Sequence, residues 1–151
     1  RVAVIGCGFM GLMVIAGLKS RALGDIVAID LDEKRLEMAV QYGATKTINP
    51  KNVDVEDVSF ELTHGRMYDC IVEITGSLRG LQTALSVAKI SGRGKILAPS
   101  VYSKNETWTE EMAYNMMYRS PIIILIIRMN TCILWKSEWK LMSRVYSPQR
   151  N

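Results

Sequence analysis

Residues 2–11 read Val2-Ala3-Val4-Ile5-Gly6-Cys7-Gly8-Phe9-Met10-Gly11, a short apolar run that ends on three spaced glycines. An apolar run without alternation suits a strand buried on both faces of a parallel sheet. The G-x-G-x-x-G spacing alone arises easily by chance, so its surroundings decide the reading. Downstream, Leu12, Ile15, Ala16 and Leu18 recur at helical spacing before Gly24, and Ile26-Val27-Ala28-Ile29-Asp30 forms a second strand-like run. Strand, glycine turn, helix, strand and terminal acid thus follow one another within about 30 residues, the context that turns a glycine triplet into a dinucleotide-binding fingerprint.

Each residue of the fingerprint has a physical task. Gly6 permits the tight turn, Gly8 lets backbone approach a pyrophosphate with no Cβ in the way, and Gly11 lets helix and strand pack closely. The helix N-terminus offers N–H groups and the positive end of its dipole to the anion. Asp30 accepts hydrogen bonds from both hydroxyls of an adenosine ribose and repels a 2′-phosphate, which favours NAD over NADP. Arg35, with Lys34 beside it, is the opposing consideration, since a cation there can receive a phosphate. Two plainer readings stand beside these: Asp30 capping a turn, and Lys34 and Arg35 as solvated helix charges.

Working outward, Asp32 can cap a second helix whose Leu36, Ala39 and Val40 share a face, and Gly43 supplies its left-handed terminus. A short strand over 46–48, a turn at Asn49-Pro50-Lys51-Asn52, a helix over 55–63 and a strand over 68–74 follow. Thr75-Gly76-Ser77 closes that strand. Leu81, Ala84, Leu85 and Ala88 mark a fourth helix, 95–98 a fifth strand, 109–117 a fifth helix and Ile122 to Ile127 a sixth strand. Strands joined by helices run parallel through right-handed crossovers, so the predicted fold is α/β, a doubly wound, six-stranded parallel sheet of Rossmann type in the order 3-2-1-4-5-6. Residues 1–127 form that domain. Residues 128–151 are a divergent basic tail, read either as a docking helix with Trp135, Trp139 and Met142 on one face or as an irregular segment.

Composition narrows the function. The chain has 151 residues, 48% hydrophobic and 23% charged, enough for one core without disulfide or metal staples. Cys7, Cys70 and Cys132 are an odd, scattered set with no C-x-x-C, which indicates a reducing, cytoplasmic setting. The single histidine, His64, is too little for a His-based zinc site, so no metal ligands are assigned. Residues 1–127 carry 14 basic and 14 acidic side chains and residues 128–151 carry five and one. The net charge of +4 therefore sits in the tail, which argues against a nucleic-acid surface on the fold. The longest apolar run, Ile122 to Ile127, is far short of the roughly 20 residues of a membrane span. The start, apolar and without the layout of a secretory signal, reads as lying inside a domain.

Other residues carry weaker expectations. Ile74 and Thr75 end the fourth strand and Leu97 lies near the end of the fifth, at the carboxyl edge where such sheets bind ligands, although both also serve as simple strand ends. Cys7 is close to a helix N-terminus, which can lower a thiol pKa, or is merely small enough to fit. His64 reads as a solvated cap. Glu73 ends a buried strand and, if it points inward, needs a partner. No catalytic residue is assigned.

The stretch Val2 to Leu12, then Ala28 to Ala39, then Tyr42 to Pro50, resembles the nucleotide-binding domain of the medium-chain dehydrogenase/reductase family, to which alcohol, sorbitol and threonine dehydrogenases belong. Gly43-Ala44 followed by Ile48-Asn49-Pro50 is the most specific part, and Tyr68 to Ser77 and Gly92 to Leu97 extend the likeness to about residue 125. The resemblance implies that Gly6, Gly8, Phe9, Met10 and Gly11 hold the pyrophosphate, Asp30 and Leu31 the ribose, Arg35 its edge, and Ile74, Thr75 and Leu97 the adenine or nicotinamide. It implies NAD as cofactor, zinc only in a catalytic domain lying mostly ahead of this one, a homo-oligomer paired through Ile122 to Ile127, and no activity from this chain by itself. Met129 to Asn151 resembles nothing in the family. The alternatives are a non-catalytic NAD(H)-sensing domain acting through association, an S-adenosylmethionine-binding domain, which the full glycine spacing disfavours, and a hydroxyacid dehydrogenase domain, which fits 43–50 poorly.

Overall fold

The computed structural model of the chain describes residues 1–90, 94–100, 109, 112, 122–126 and 132–135. Along the chain the elements are β1 (Val2–Ile5), α1 (Phe9–Ser20), β2 (Ile26–Ile29), α2 (Glu33–Tyr42), β3 (Lys46–Ile48), α3 (Val55–Leu62), β4 (Cys70–Glu73), α4 (Leu78–Val87), β5 (Lys95–Ala98), β6 (Ile122–Ile126) and β7 (Cys132–Trp135). They form one sheet in the order β3-β2-β1-β4-β5-β6-β7. The first six strands have the expected order and are parallel, with Val2 to Ile5 flanked by Ile26 to Ile29 on one side and Cys70 to Glu73 on the other.

The unbroken apolar runs of β1 and β2 are explained by cores on both faces. Ala3, Ile5, Val27 and Ile29 pack with Ile71, Leu81 and Leu85, while Val4, Ile26 and Ala28 pack with Ile15, Leu36 and Ala39 on the opposite side. Successive strand residues point to opposite faces, so each alternate residue feeds a different core. Helices α1 and α2 lie together on one face and α3 and α4 on the other. Tyr68, fully buried, meets its polar requirement through Ser59 Oγ at 3.2 Å.

Helix boundaries follow local chemistry. Asp32 accepts from Lys34 N and Arg35 N, and Gly43 ends α2 at φ +116°. Asp54 does the same for α3 through Glu56 N and Asp57 N. The fourth strand is shorter than expected: Tyr68 N donates to Val87 O, outside the ladder with β1. The fifth helix expected over 109–117 lies mostly outside the described residues; within it Met112 is helical and buried, and its N donates to Thr109 Oγ1 at 3.2 Å.

One expectation is corrected. Trp135 belongs to a strand, not a helix: Cys132–Trp135 pairs antiparallel with β6, Ile126 opposite Cys132 and Ile123 opposite Trp135. The backbone donors and acceptors on the outer side of β6 demand partners, and an apolar run ending in an aromatic residue suits a pleated surface. Trp139 and Met142 lie outside the described residues. Strand β6, expected as an association edge, is flanked by β5 and β7. Among the described residues no helix is long and apolar enough to cross a membrane.

Candidate functional site

The carboxyl ends of β1, β2 and β4 converge on the glycine turn. Gly6 takes φ +95°, and a Cβ there would stand 2.9 Å from Thr75 Cγ2 and 3.2 Å from Thr75 N. Glycine is therefore needed twice, for its backbone angle and for the approach of the β4 loop. Gly11 lies in the first turn of α1 with Gly6 beneath it: a Cβ would overlap the Gly6 carbonyl oxygen and stand 3.5 Å from Ile74 Cγ2. Gly8 is the opposite case, with extended backbone and nothing within 4 Å of a would-be Cβ. Gly11 is thus close-packed against the turn, while Gly8 faces open space.

The helix starts point to the same place. Helices α2, α3 and α4 begin with Asp32, Asp54 and Ser77, whose side chains accept backbone N–H groups. Helix α1 begins at Gly8, without a side-chain cap and without an acid in its first turn. An uncapped N-terminus retains unsatisfied N–H donors and the positive dipole end. Phe9 and Met10, 78% and 58% exposed, flank this opening.

Asp30 is held firmly beside it. One carboxylate oxygen accepts from Cys7 N at 2.7 Å, the other from Asp32 N at 2.9 Å, and the side chain is only 8% exposed. Asp30 thus ties the end of β2 to the glycine turn, a contact that strand and spacing arguments do not reveal. Arg35 reaches to 3.9 Å from the same carboxylate, and Leu31 is exposed alongside. Leu97, partly buried and in register with Val72, stands two strands from β1, outside this cluster.

The remaining candidates resolve by burial. The Cys7 thiol is buried and lies 3.9 Å from Ile29 O. Burial first and the nearby Asp30 charge second push its pKa up to about 12, outweighing the Ile29 contact and Arg35, so the helix N-terminus does not activate it. His64 is exposed in a turn at φ +53°. Glu73, fully buried, accepts from Thr75 N at 2.8 Å. Sequence reasoning missed Gly80, where a Cβ would meet Thr75 Oγ1 and lie 2.5 Å from Glu73 Oε1; a glycine inside a helical pattern was the signal. It also missed Glu33, which receives hydrogen bonds from Asn49 and Asn52 and so pins the Asn49-Pro50 turn to the start of α2. Among the described residues no group of three or more Cys, His, Asp or Glu side chains could hold a metal ion.

A family model described as zinc-binding dehydrogenase matches residues 10–144. An L-threonine 3-dehydrogenase from Bacillus licheniformis is 37% identical over 99 residues, 65% of this chain and 28% of that protein. A NADP-dependent isopropanol dehydrogenase from Clostridium beijerinckii is 38% identical over 91 residues, 60% of this chain and 26% of that one. The crystal structure of 2R,3R-butanediol dehydrogenase from Bacillus subtilis superposes with a TM-score of 0.73 at 29% identity, covering 84% of this chain and 35% of the other. The chain spans little more than a quarter of the length of the curated relatives it matches.

Proposed function

The chain belongs to the zinc-type medium-chain dehydrogenase/reductase family, and on that premise we propose that it binds NAD(H) as the nucleotide-holding portion of an alcohol or polyol dehydrogenase. The observation that carries the reading is the pairing of an uncapped α1 N-terminus over open space at Gly8 with the fixed carboxylate of Asp30 at the end of the neighbouring strand. The pyrophosphate is received by the N–H groups of the Gly8 to Gly11 turn. Asp30 and Leu31 take the adenosine ribose, Phe9 and Met10 border the dinucleotide, and Ile74, Thr75 and Leu97 wall its bases. The dinucleotide, when bound, supplies hydride chemistry. The residues of this chain bind and orient it, and the polarising metal and substrate contacts are assigned to a separate catalytic domain.

Asp30 supports NAD over NADP. Its two oxygens accept from backbone N–H groups, so the carboxylate cannot swing away, and a 2′-phosphate would bring like charge against it. Arg35 is drawn to Asp30 and more than half exposed, which leaves it at the rim of the ribose site. The test is calorimetric titration of the folded chain with NAD and NADP, repeated on Asp30→Ala. NAD is expected to bind more tightly than NADP, with the preference shrinking in the variant. Equal affinities, unchanged by the substitution, would refute the assignment.

A further inference from the structure

The geometry points to Glu73 as a positioning residue of the nucleotide site, acting through Thr75 on the Gly6 turn, an inference that rests on the nucleotide-binding reading above. Glu73 ends β4 in register with Ile5, the residue before the turn, and is fully enclosed. Its Oε1 accepts both the N–H of Thr75 at 2.8 Å and the Thr75 hydroxyl at 2.5 Å. The same hydroxyl oxygen accepts from Ser77 N at 3.1 Å, and Ser77 Oγ accepts from Gly80 N at 3.1 Å to cap α4. Gly80 leaves no slack, since a Cβ there would run into both Glu73 and Thr75. The carboxylate is therefore sealed beneath the first turn of α4 with its direction fixed.

On its other side Thr75 meets the glycine turn. Its methyl and backbone nitrogen stand so close to Gly6 that even one added carbon would be crowded. Thr75 is thus held between a buried carboxylate and the turn, at the switch between β1 and β4 where open α/β sheets bind ligands. An apolar residue at the end of a buried strand would cost less to enclose than a carboxylate. It would also leave the Thr75 N–H without its acceptor and the hydroxyl with Ser77 Oγ, 3.0 Å away, in place of the carboxylate, and free Thr75-Gly76-Ser77 to rotate about Gly76, itself at φ +73°. Two directional hydrogen bonds make that loop a fixed wall, so that the Gly6 to Gly8 backbone is presented in one orientation.

The test uses the whole chain and two readouts: NADH titration, and amide hydrogen exchange at Gly6 and Cys7 without nucleotide. Thr75→Val keeps the side-chain shape and removes the hydroxyl. It is expected to weaken NADH binding about tenfold and to speed exchange at Gly6 and Cys7 by a similar factor, the scale of one hydrogen bond to a carboxylate. Exchange at Leu36 in α2 should not change. Thr75→Ser, which keeps the hydroxyl, and Glu73→Gln, which keeps an acceptor, should each stay close to the parent in both readouts. Gly80→Ala, which drives a carbon into the Glu73 and Thr75 pair from the α4 side, should reproduce both losses and serves if Thr75→Val does not fold. Unchanged exchange at Gly6 and Cys7 in the folded variants would overturn the positioning role whether or not NADH binds. Accelerated exchange in a chain whose parent binds no NADH would support the geometry and refute the nucleotide reading instead.

Discussion

Replacing Gly11 by alanine places a methyl carbon on the carbonyl oxygen of Gly6, with the Gly6 carbonyl carbon only 3.0 Å away. Both obstacles are backbone, so no rotamer change relieves them; α1 must slide off the turn. Overpacking of this kind costs about 1–3 kcal/mol. Alanine regains up to about 1 kcal/mol of helix propensity over glycine, and less in a first turn. The net expectation is about 1–2 kcal/mol of lost stability, a fall in Tm of roughly 2–8 °C for a chain of this size. Gly17 provides the control within the same helix, exposed and with nothing within 4 Å of a would-be Cβ. Gly17→Ala should gain about 1 kcal/mol. Thermal unfolding followed by far-ultraviolet circular dichroism compares the two directly. If Gly11→Ala melts at or above the parent, in step with Gly17→Ala, the close approach of α1 to the glycine turn is not a requirement of the fold and the reasoning fails.

Gly8→Ala should change stability by less than about 0.5 kcal/mol, since its methyl enters open space at an ordinary backbone angle, yet weaken NADH binding in calorimetry because that space receives the pyrophosphate. Cys7, buried and with its thiol pushed up to about 12, should escape iodoacetamide at pH 8.5 in the native chain and react once urea unfolds it, as read by peptide mass mapping. Asp54→Ala removes the acceptor of two N–H groups at the start of α3 and should cost about 1 kcal/mol in urea unfolding. The hydrogen bond from Lys89 holds the Asp69 carboxyl below the usual carboxylate range. The stability this confers is present above the unfolded carboxylate pKa of about 3.9 and is lost as pH falls through the lower folded value. Lys89→Gln should therefore be less stable than the parent at pH 7 by no more than about 1 kcal/mol, Asp69 being half exposed, and should match it in strong acid.

What could be read from the sequence was governed by how local its causes are. The turn at Gly6 to Gly11, the cap at Asp32 and the left-handed Gly43 act within a few residues, and the two-sided burial of Val2 to Ile5 shows directly in an unbroken apolar run. Parallel strand order then follows from chain connectivity. Contacts that close through space were not legible. Cys7 N reaches Asp30 on the neighbouring strand, and Gly80 comes against Glu73 and Thr75 only after the chain reverses at Gly76. The strand at Cys132–Trp135 was misread because Trp135 fits a helical face as well as a strand, and only the unpaired side of β6 decides between them.

The measurement that bears most directly on the central claim is backbone amide nuclear magnetic resonance of the folded chain titrated with NADH. The account predicts saturable shifts concentrated at Gly6 to Gly11, Asp30 and Thr75. Shifts centred elsewhere on the sheet, or none in a folded chain, would contradict it.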